Sequence, residues 1–302
     1  MAFFGNLMNN YFYGKSGKGD YRVEDMPQNR RQLFGAVLKV RWSALVGVNL
    51  LQVLFWLPAA AWTILNYITL VSGAGDPVSL LSTYLLILIP LIAITGPFTA
   101  GATYVLRNWA RDEHSFVWSD FWDAVKGNWK QGLVVSVISG LMPYVLYMGY
   151  TFYGTMASTK SFVFMIPLAI LFLVFIVWKL SEMIIYTLMV TYDLKTKDLI
   201  RNAILLTVGN LPLAVGIKLL TALIPAIAIA LLIFIPSIEV PVLLVLGLLC
   251  LLYLPAFNRL ITCSYSNALC EKYLNTKIGA PTNIGLRPDD WDDTEYRPED
   301  DE

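Results

Sequence analysis

Residues 162–191 read FVFMIPLAILFLVFIVWKLSEMIIYTLMVT, a long apolar run whose only charged side chains are Lys179 and Glu182. About 20 apolar residues in a helix are enough to cross the hydrocarbon core of a bilayer. Segments of the same character lie at about 43–71, 78–106, 132–153, 203–235 and 238–270. The sequence therefore predicts about six transmembrane helices.

The composition excludes a soluble globular protein. Of the 302 residues, 57% are apolar and only 15% are charged, and the mean hydropathy is +0.59. So little polar surface is not enough to cover a soluble domain of this length. We expect an all-α, polytopic membrane helix bundle with one or two additional cytoplasmic interfacial helices. It is predicted to comprise a cytoplasmic N-terminal segment (1–41), a six-helix membrane domain (42–275) and an acidic disordered cytoplasmic tail (276–302).

Basic residues fall almost entirely on alternate connections between these spans. Of the 22 Lys and Arg, three lie within spans and Lys160 lies in a connection on one side of the membrane. The remaining 18 all lie on the opposite side. The others are Lys15, Lys18, Arg22, Arg30, Arg31, Lys39, Arg41, Arg107, Arg111, Lys126, Lys130, Lys195, Lys197, Arg201, Lys272, Lys277, Arg287 and Arg297. Cytoplasmic loops carry the excess of basic residues, so the pattern predicts a multi-pass protein of the cell membrane with both termini in the cytoplasm.

The connection between the second and third spans contains an aromatic stripe at helical spacing. Its members are Trp118, Phe121, Trp122, Val125 and Trp129. They share one helix face, with two aspartates on the opposite face. Because Trp favours the headgroup boundary, the stripe predicts an interfacial or docking helix on the inner leaflet. Packing of the stripe on the protein's own helix ends is an equal alternative, since amphipathicity does not identify the surface that is met.

A second amphipathic segment follows the fourth span at 198–211. It ends in Gly209, Asn210 and Pro212, which favour a break before the fifth span. Without that break, the segment would be part of the fifth span. With it, Lys218 would come near the inner boundary of the bilayer.

Ionisable residues within spans are costly and usually have a partner or face a cavity. The candidates for an intramembrane polar cluster are Lys179, Glu182, Lys218 and Arg259. Lys179 and Glu182 are three residues apart, a spacing that allows an ion pair on one helix. A structural network, snorkelling towards the headgroups and a role in transport are the alternatives.

Gly96 and Pro97 lie inside the second span. Proline removes a backbone hydrogen bond and kinks a helix, whereas small residues allow close helix packing. We predict a helix kink there, with close packing favoured over a broken helix around a solute site.

Catalytic chemistry has no recognisable basis in this sequence. The only histidine, His114, and the three cysteines form no metal-binding or nucleophile motif. We therefore expect no catalytic residues, no metal and no cofactor. The charge pattern also predicts no nucleic-acid partner.

Several short segments resemble the YesL-like family of bacterial integral membrane proteins, a domain of unknown function in Gram-positive bacteria. In the first half these are ITGPFTAG (94–101), YVLR (104–107), FVWSDFW (116–122) and NWKQ (128–131). VTYD (190–193), NA (202–203) and GNLP (209–212) resemble the family's second half. The resemblance covers about residues 30–275.

The resemblance implies a role in sugar uptake or its control. The expected function is that of a non-enzymatic integral membrane protein, accessory to or regulating carbohydrate uptake. Its expected partners are the lipid bilayer and carbohydrate transporter subunits. The alternative is a small-solute transporter or channel that acts alone.

Overall fold

The computed structural model describes residues 26–288, and within this range the chain is helical without strands. The helices are α1 (Arg30–Leu54), α2 (Leu57–Val71), α3 (Pro77–Trp109), α4 (Val117–Thr159), α5 (Met165–Met189), α6 (Thr196–Gly209), α7 (Leu211–Phe234), α8 (Glu239–Leu252) and α9 (Leu254–Cys270). A π-helical turn, Glu271–Asn275, and a last turn, Thr276–Ile278, follow α9. The all-α prediction is confirmed.

Within the described range, five helices are long and apolar enough to cross a membrane, namely α1, α3, α4, α5 and α7. Helix α8 and the helix that follows it meet at a bend of 57°, and together they make a sixth candidate span. Helix α2 is a shorter apolar helix that continues from α1. The chain is therefore a multi-pass membrane protein by helix length and composition.

Leucine-proline pairs begin three of the helices, at Leu57, Leu211 and Leu254. Proline lacks the N–H that a helix interior needs, but it fits the first turn of a new helix. The first and sixth predicted spans, 43–71 and 238–270, are thus each divided into two helices. At 198–211 the structure has the break before the fifth span: α6 ends at Gly209 and is separate from α7.

The predicted interfacial helix is not a separate element. The aromatic stripe lies in the first turns of α4, which runs unbroken from Val117 into the third span and ends at Thr159. No proline or positive φ interrupts α4 between the stripe and Gly132, so helical hydrogen bonding continues from one part into the other.

The break between α8 and α9 is closed by a buried side chain from α1. Pro255 cannot donate to the Leu251 carbonyl, four residues earlier. Asn49, which is fully buried, donates from Nδ2 to the carbonyls of Leu251 (2.7 Å) and Cys250 (3.0 Å). Its Oδ1 accepts from the backbone N–H of Ala256 at 2.8 Å. One amide therefore bonds three backbone groups at the break.

Two other prolines have the same arrangement. Pro97 in α3 cannot bond the Ala93 carbonyl, which instead accepts from Ser136 Oγ of α4 at 2.6 Å. Pro225 in α7 leaves the Thr221 carbonyl free. That carbonyl accepts from Asn258 Nδ2 of α9 at 3.0 Å. In each case a neighbouring helix replaces the missing backbone donor.

The buried core lies towards one end of the bundle, where α3 and α5 finish. We call this the inner end, because the distribution of basic residues predicts that it faces the cytoplasm. One cluster of buried residues joins the last turns of α5 to α6 and α9. A second joins α1, α3, α9 and the start of α4. The opposite halves of the helices expose apolar side chains, as lipid contact requires.

The chain beyond α9 is folded as far as it is described. Leu286 packs against the second core cluster. Arg30 pairs with Glu271 and donates from Nη1 to the Ile284 carbonyl at 2.8 Å. Part of the segment that the sequence analysis assigns to the tail, residues 276–288, thus contacts the helical bundle. The acidic run at 289–302 and the basic residues at 15, 18 and 22 lie outside the described residues.

Replacement of Asn49 by leucine, which has a similar volume, is expected to lower the free energy of unfolding by about 2–4 kcal/mol. The reason is that each buried polar group left without a partner costs about 1–3 kcal/mol. Thermal or denaturant unfolding in detergent, followed by circular dichroism, would measure the loss. Asn66→Leu is the control, since Asn66 donates only to the Trp62 carbonyl of its own helix. Equal losses in both variants would contradict this role for Asn49.

Candidate functional site

A polar cleft opens at the inner end of the bundle. It consists of two adjoining cavities of about 450 and 470 Å³ that share Asn128, Met189, Tyr192 and Asp193. The remaining lining residues are Tyr104, Asp120, Asp123, Ala124, Gly127, Trp129, Lys130, Gln131, Val190, Thr191 and Leu194. The end of α3, the first half of α4 and the connection after α5 therefore form its walls.

The first turn of α4 fixes one wall of the cleft. Asp120 accepts from the Phe116 N–H at 2.9 Å and from Ser115 Oγ at 2.6 Å. This arrangement resembles a capping box, in which an acidic side chain bonds the free N–H at a helix start. Asp123 lies one turn further along the same face. Its side chain is 75% exposed and makes only a long contact, 3.8 Å, with Lys126.

Two long side chains fix the opposite wall, the connection at 190–194. Arg107 Nη2 donates to the Val190 carbonyl at 3.2 Å, and its guanidinium lies 5.0 Å from the centre of the Tyr104 ring. Gln131 Nε2 donates to the Leu194 carbonyl at 2.7 Å. The backbone of this connection is thus tied to both α3 and α4.

Tyr192 links the cleft to the chain beyond α9. Its hydroxyl donates to Asn275 Oδ1 at 2.6 Å, and Asn275 Nδ2 donates to the Pro281 carbonyl at 2.6 Å. Burial raises the pKa of Tyr192, because the charged phenolate would be poorly solvated there. The neutral hydroxyl is therefore the form that holds this contact at neutral pH.

The cleft combines three carboxylates with amide, hydroxyl and aromatic groups. Asp123 and Asp193 are exposed at its mouth. Such a surface attracts cationic groups and can accept hydrogen bonds from hydroxyls. Among residues 26–288, no group of three or more His, Cys, Asp or Glu side chains is arranged to hold a metal ion.

The predicted docking stripe is partly buried in the protein and partly exposed. Phe121 and Val125 are buried in the protein's own core. Trp122 also packs there, whereas Trp118 and Trp129 are 65% and 51% exposed. The middle of the stripe is therefore structural. The cleft lies mainly along the other, polar face of α4, although Trp129 of the stripe also lines it. The aspartates at 120 and 123 were the available sequence signal for this face.

The four residues of the predicted polar cluster come together on three helices, away from the cleft. Lys179 Nζ lies 3.0 Å from Glu182 Oε2 on α5. Asn258, the neighbour of Arg259 on α9, donates to the Thr221 carbonyl of α7, three residues after Lys218, so these two helices meet beside the cluster. The Arg259 guanidinium lies 5.3 Å from the centre of the Tyr186 ring. Helical spacing indicated only the pair on α5, because the other two contacts join separate helices.

Gly96 and Pro97 lie where α3 passes closest to α4. Helix α3 is continuous through Pro97. A Cβ at position 96 would collide with the Gly132 carbonyl and Ser136 Oγ. A Cβ at Gly132 would lie 2.9 Å from the Pro97 nitrogen. This contact holds α4 against α3 and so fixes the position of the cleft wall.

The segment from α1 into α4 matches a known family model. Residues 45–150 match the model described as "Protein of unknown function, DUF624". The match confirms the resemblance to the YesL-like family over this stretch, which includes the Gly96–Gly132 contact and the α4 wall of the cleft. The family's function is unknown. No curated protein and no solved structure gave a significant match.

Replacement of Gly96 by alanine is expected to lower the free energy of unfolding by about 1–3 kcal/mol, because the added methyl group overpacks the contact between α3 and α4. Unfolding in detergent would measure this effect. Gly216→Ala on α7 is the matched control, since nothing lies within 4 Å of its Cβ position. That control should be neutral or stabilising by up to about 1 kcal/mol. Equal effects at both positions would contradict the close packing at Gly96.

Proposed function

We propose that this protein is a non-enzymatic component of the cell membrane of a Gram-positive bacterium that assists or regulates carbohydrate uptake. It holds a transporter subunit through the polar cleft at its inner end. Both termini lie in the cytoplasm, on the same side as the cleft. The family resemblance supports the choice of process, and the polar cleft is the surface that we propose for docking.

The observation that carries the proposal is the convergence of separate motifs on one cleft. Tyr104, Asp120, Asn128 and Asp193 come from four of the segments on which the resemblance rests. Three of these segments lie within 104–131 and the fourth lies at 190–193, and each contributes to the lining. A role in packing alone would not require exposed carboxylates at the mouth of the cleft, since packing gains nothing from them.

The charge of the cleft favours a basic segment of the partner. Asp120, Asp123 and Asp193 present three carboxylates, and the only lining residue with a positive charge is Lys130. Complementary charges steer association and select the partner. We therefore expect the cleft to receive a Lys- or Arg-bearing cytoplasmic element of a transporter subunit.

An exposed tryptophan sets the depth of the cleft relative to the bilayer. Trp118 and Trp129 lie on nearly the same face of α4 but about 16 Å apart along its axis. Because α4 continues into the third span, the two rings lie at different depths. Indole rings favour the headgroup region, so Trp129, which is nearer the span and lines the cleft, would hold this part of α4 at the boundary.

A pull-down from membranes of the source cells, grown on plant polysaccharide, tests the proposal. The tagged wild-type protein in mild detergent should recover sugar-transporter subunits in stoichiometric amounts, identified by mass spectrometry. Asp193→Arg, which reverses a charge at the mouth of the cleft, should reduce recovery at least about tenfold.

Asp198→Arg is the matched control, because Asp198 is an exposed aspartate at the same end that does not line the cleft. Its recovery of partner should equal that of the wild type. Recovery of the protein alone, or equal losses in both variants, would rule out the proposed docking site.

The polar cluster favours a second candidate function, a small-solute transporter or channel that acts alone. Lys179 and Glu182 form an ion pair within a spanning helix, a position at which charged residues often mark a solute pathway. In proteoliposomes that take up a radiolabelled disaccharide, Lys179→Gln or Glu182→Gln would abolish uptake if this candidate is correct. Lys160→Gln, at the opposite end of the bundle, is the control. Unchanged uptake in the cluster variants would exclude the candidate.

A further inference from the structure

The polar cluster between α5, α7 and α9 carries unequal charges. Lys179, Lys218 and Arg259 contribute three cations, whereas Glu182 contributes one carboxylate. Arg259 reaches the Tyr186 ring of α5, and the hydrogen bond from Asn258 to the Thr221 carbonyl joins α9 to α7 beside Lys218. A charge in hydrocarbon is costly unless it is paired or reaches the headgroups. The cluster therefore has two positive charges that no carboxylate of its own neutralises.

Only one of the three cations is paired directly. Lys179 lies 3.0 Å from Glu182. In the part of the chain that the structure describes, neither Lys218 nor Arg259 has a carboxylate within 4.0 Å or a side-chain hydrogen bond. Arg259 contacts the Tyr186 ring, which orients the guanidinium but leaves its donors unoccupied.

The cluster is open to the lipid side of the bundle. The side chains of Lys179 and Glu182 are 30% and 25% exposed, and Lys218 and Arg259 are also partly exposed. Of the residues of α7, only Ala214 and Ala228 are buried. The side chains of the cluster are therefore accessible at the surface of the bundle beside α7.

The depth of the cluster suits a phosphate group. Lys218 is seven residues from Leu211, where α7 begins at the inner end, which is about 10 Å along the helix axis. A lysine side chain can snorkel over most of that distance. Its ammonium thus comes close to the level of the phosphates of the adjacent leaflet.

We propose that this cluster is a binding site for a phosphate-bearing anion, held between α5, α7 and α9 by Lys218 and Arg259. The headgroup of an anionic phospholipid and free inorganic phosphate share this chemistry. Arg259 offers a planar fork of donors for phosphate oxygens, and Lys218 offers a point charge. Glu182 keeps Lys179 paired and limits the positive charge of the site. The site is separate from the cleft and does not depend on the proposed docking function.

Thermal unfolding of the purified full-length protein in dodecyl maltoside tests the site. Equal mole fractions of phosphatidylglycerol or phosphatidylcholine, or inorganic phosphate alone, are added at constant ionic strength. Binding to the folded state alone raises the Tm. We expect phosphatidylglycerol to raise the Tm by at least about 3 °C more than phosphatidylcholine does. The same rise with inorganic phosphate alone would identify a free anion as the ligand.

Variants that lower or raise the positive charge of the cluster separate an effect on binding from an effect on folding. The double variant with Lys218→Gln and Arg259→Gln should lose at least half of the shift, and Glu182→Gln should show a larger shift than the wild type. Lys160→Gln, which removes a lysine at the far end of α4, should leave the shift unchanged. The proposal would be overturned by equal shifts with both lipids and none with phosphate, or by a shift that the double variant retains in full.

Discussion

A bilayer offers no water to a free backbone carbonyl, so a carbonyl that a proline deprives of its backbone donor is costly unless another group donates to it. Asn49 supplies such a donor where α8 ends and α9 begins. It bonds the carbonyls of Cys250 and Leu251 and the N–H of Ala256. The bend of 57° is thereby tied to α1. Asn49 therefore helps to fix the direction of α9, the helix that carries Arg259.

The same constraint explains how the two candidate sites are held. Ser136 donates to the Ala93 carbonyl, which Pro97 leaves without its backbone donor, and it lies next to the contact between Gly96 and Gly132. These contacts hold α3 against α4 next to the walls of the cleft. Asn258 bonds the carbonyl released by Pro225 and ties α7 to α9. That tie brings α7 to the polar cluster, although this helix buries little surface of its own.

The sequence predicted less of the polar cluster than of the α4 wall of the cleft. The spacing of the stripe in α4 predicts a shared helix face, but it does not tell whether lipid, a partner or the protein's own core covers that face. The structure covers Phe121 and Val125 with core and leaves the opposite face to line the cleft. At the polar cluster, spacing alone indicated the pair on α5, whereas Lys218 and Arg259 join it only through helix packing.

The sequence by itself determined that the chain is all-α and crosses a membrane several times, because apolar length and helical period depend only on residues close in the chain. It also indicated the break near Pro212. Tertiary structure decided which free carbonyls accept a hydrogen bond from another helix, which face of α4 is buried and which charged side chains lie together. Asn49 and Leu251 are 202 residues apart. No local pattern encodes such a contact, since it depends on how each helix is rotated and how closely its neighbours approach.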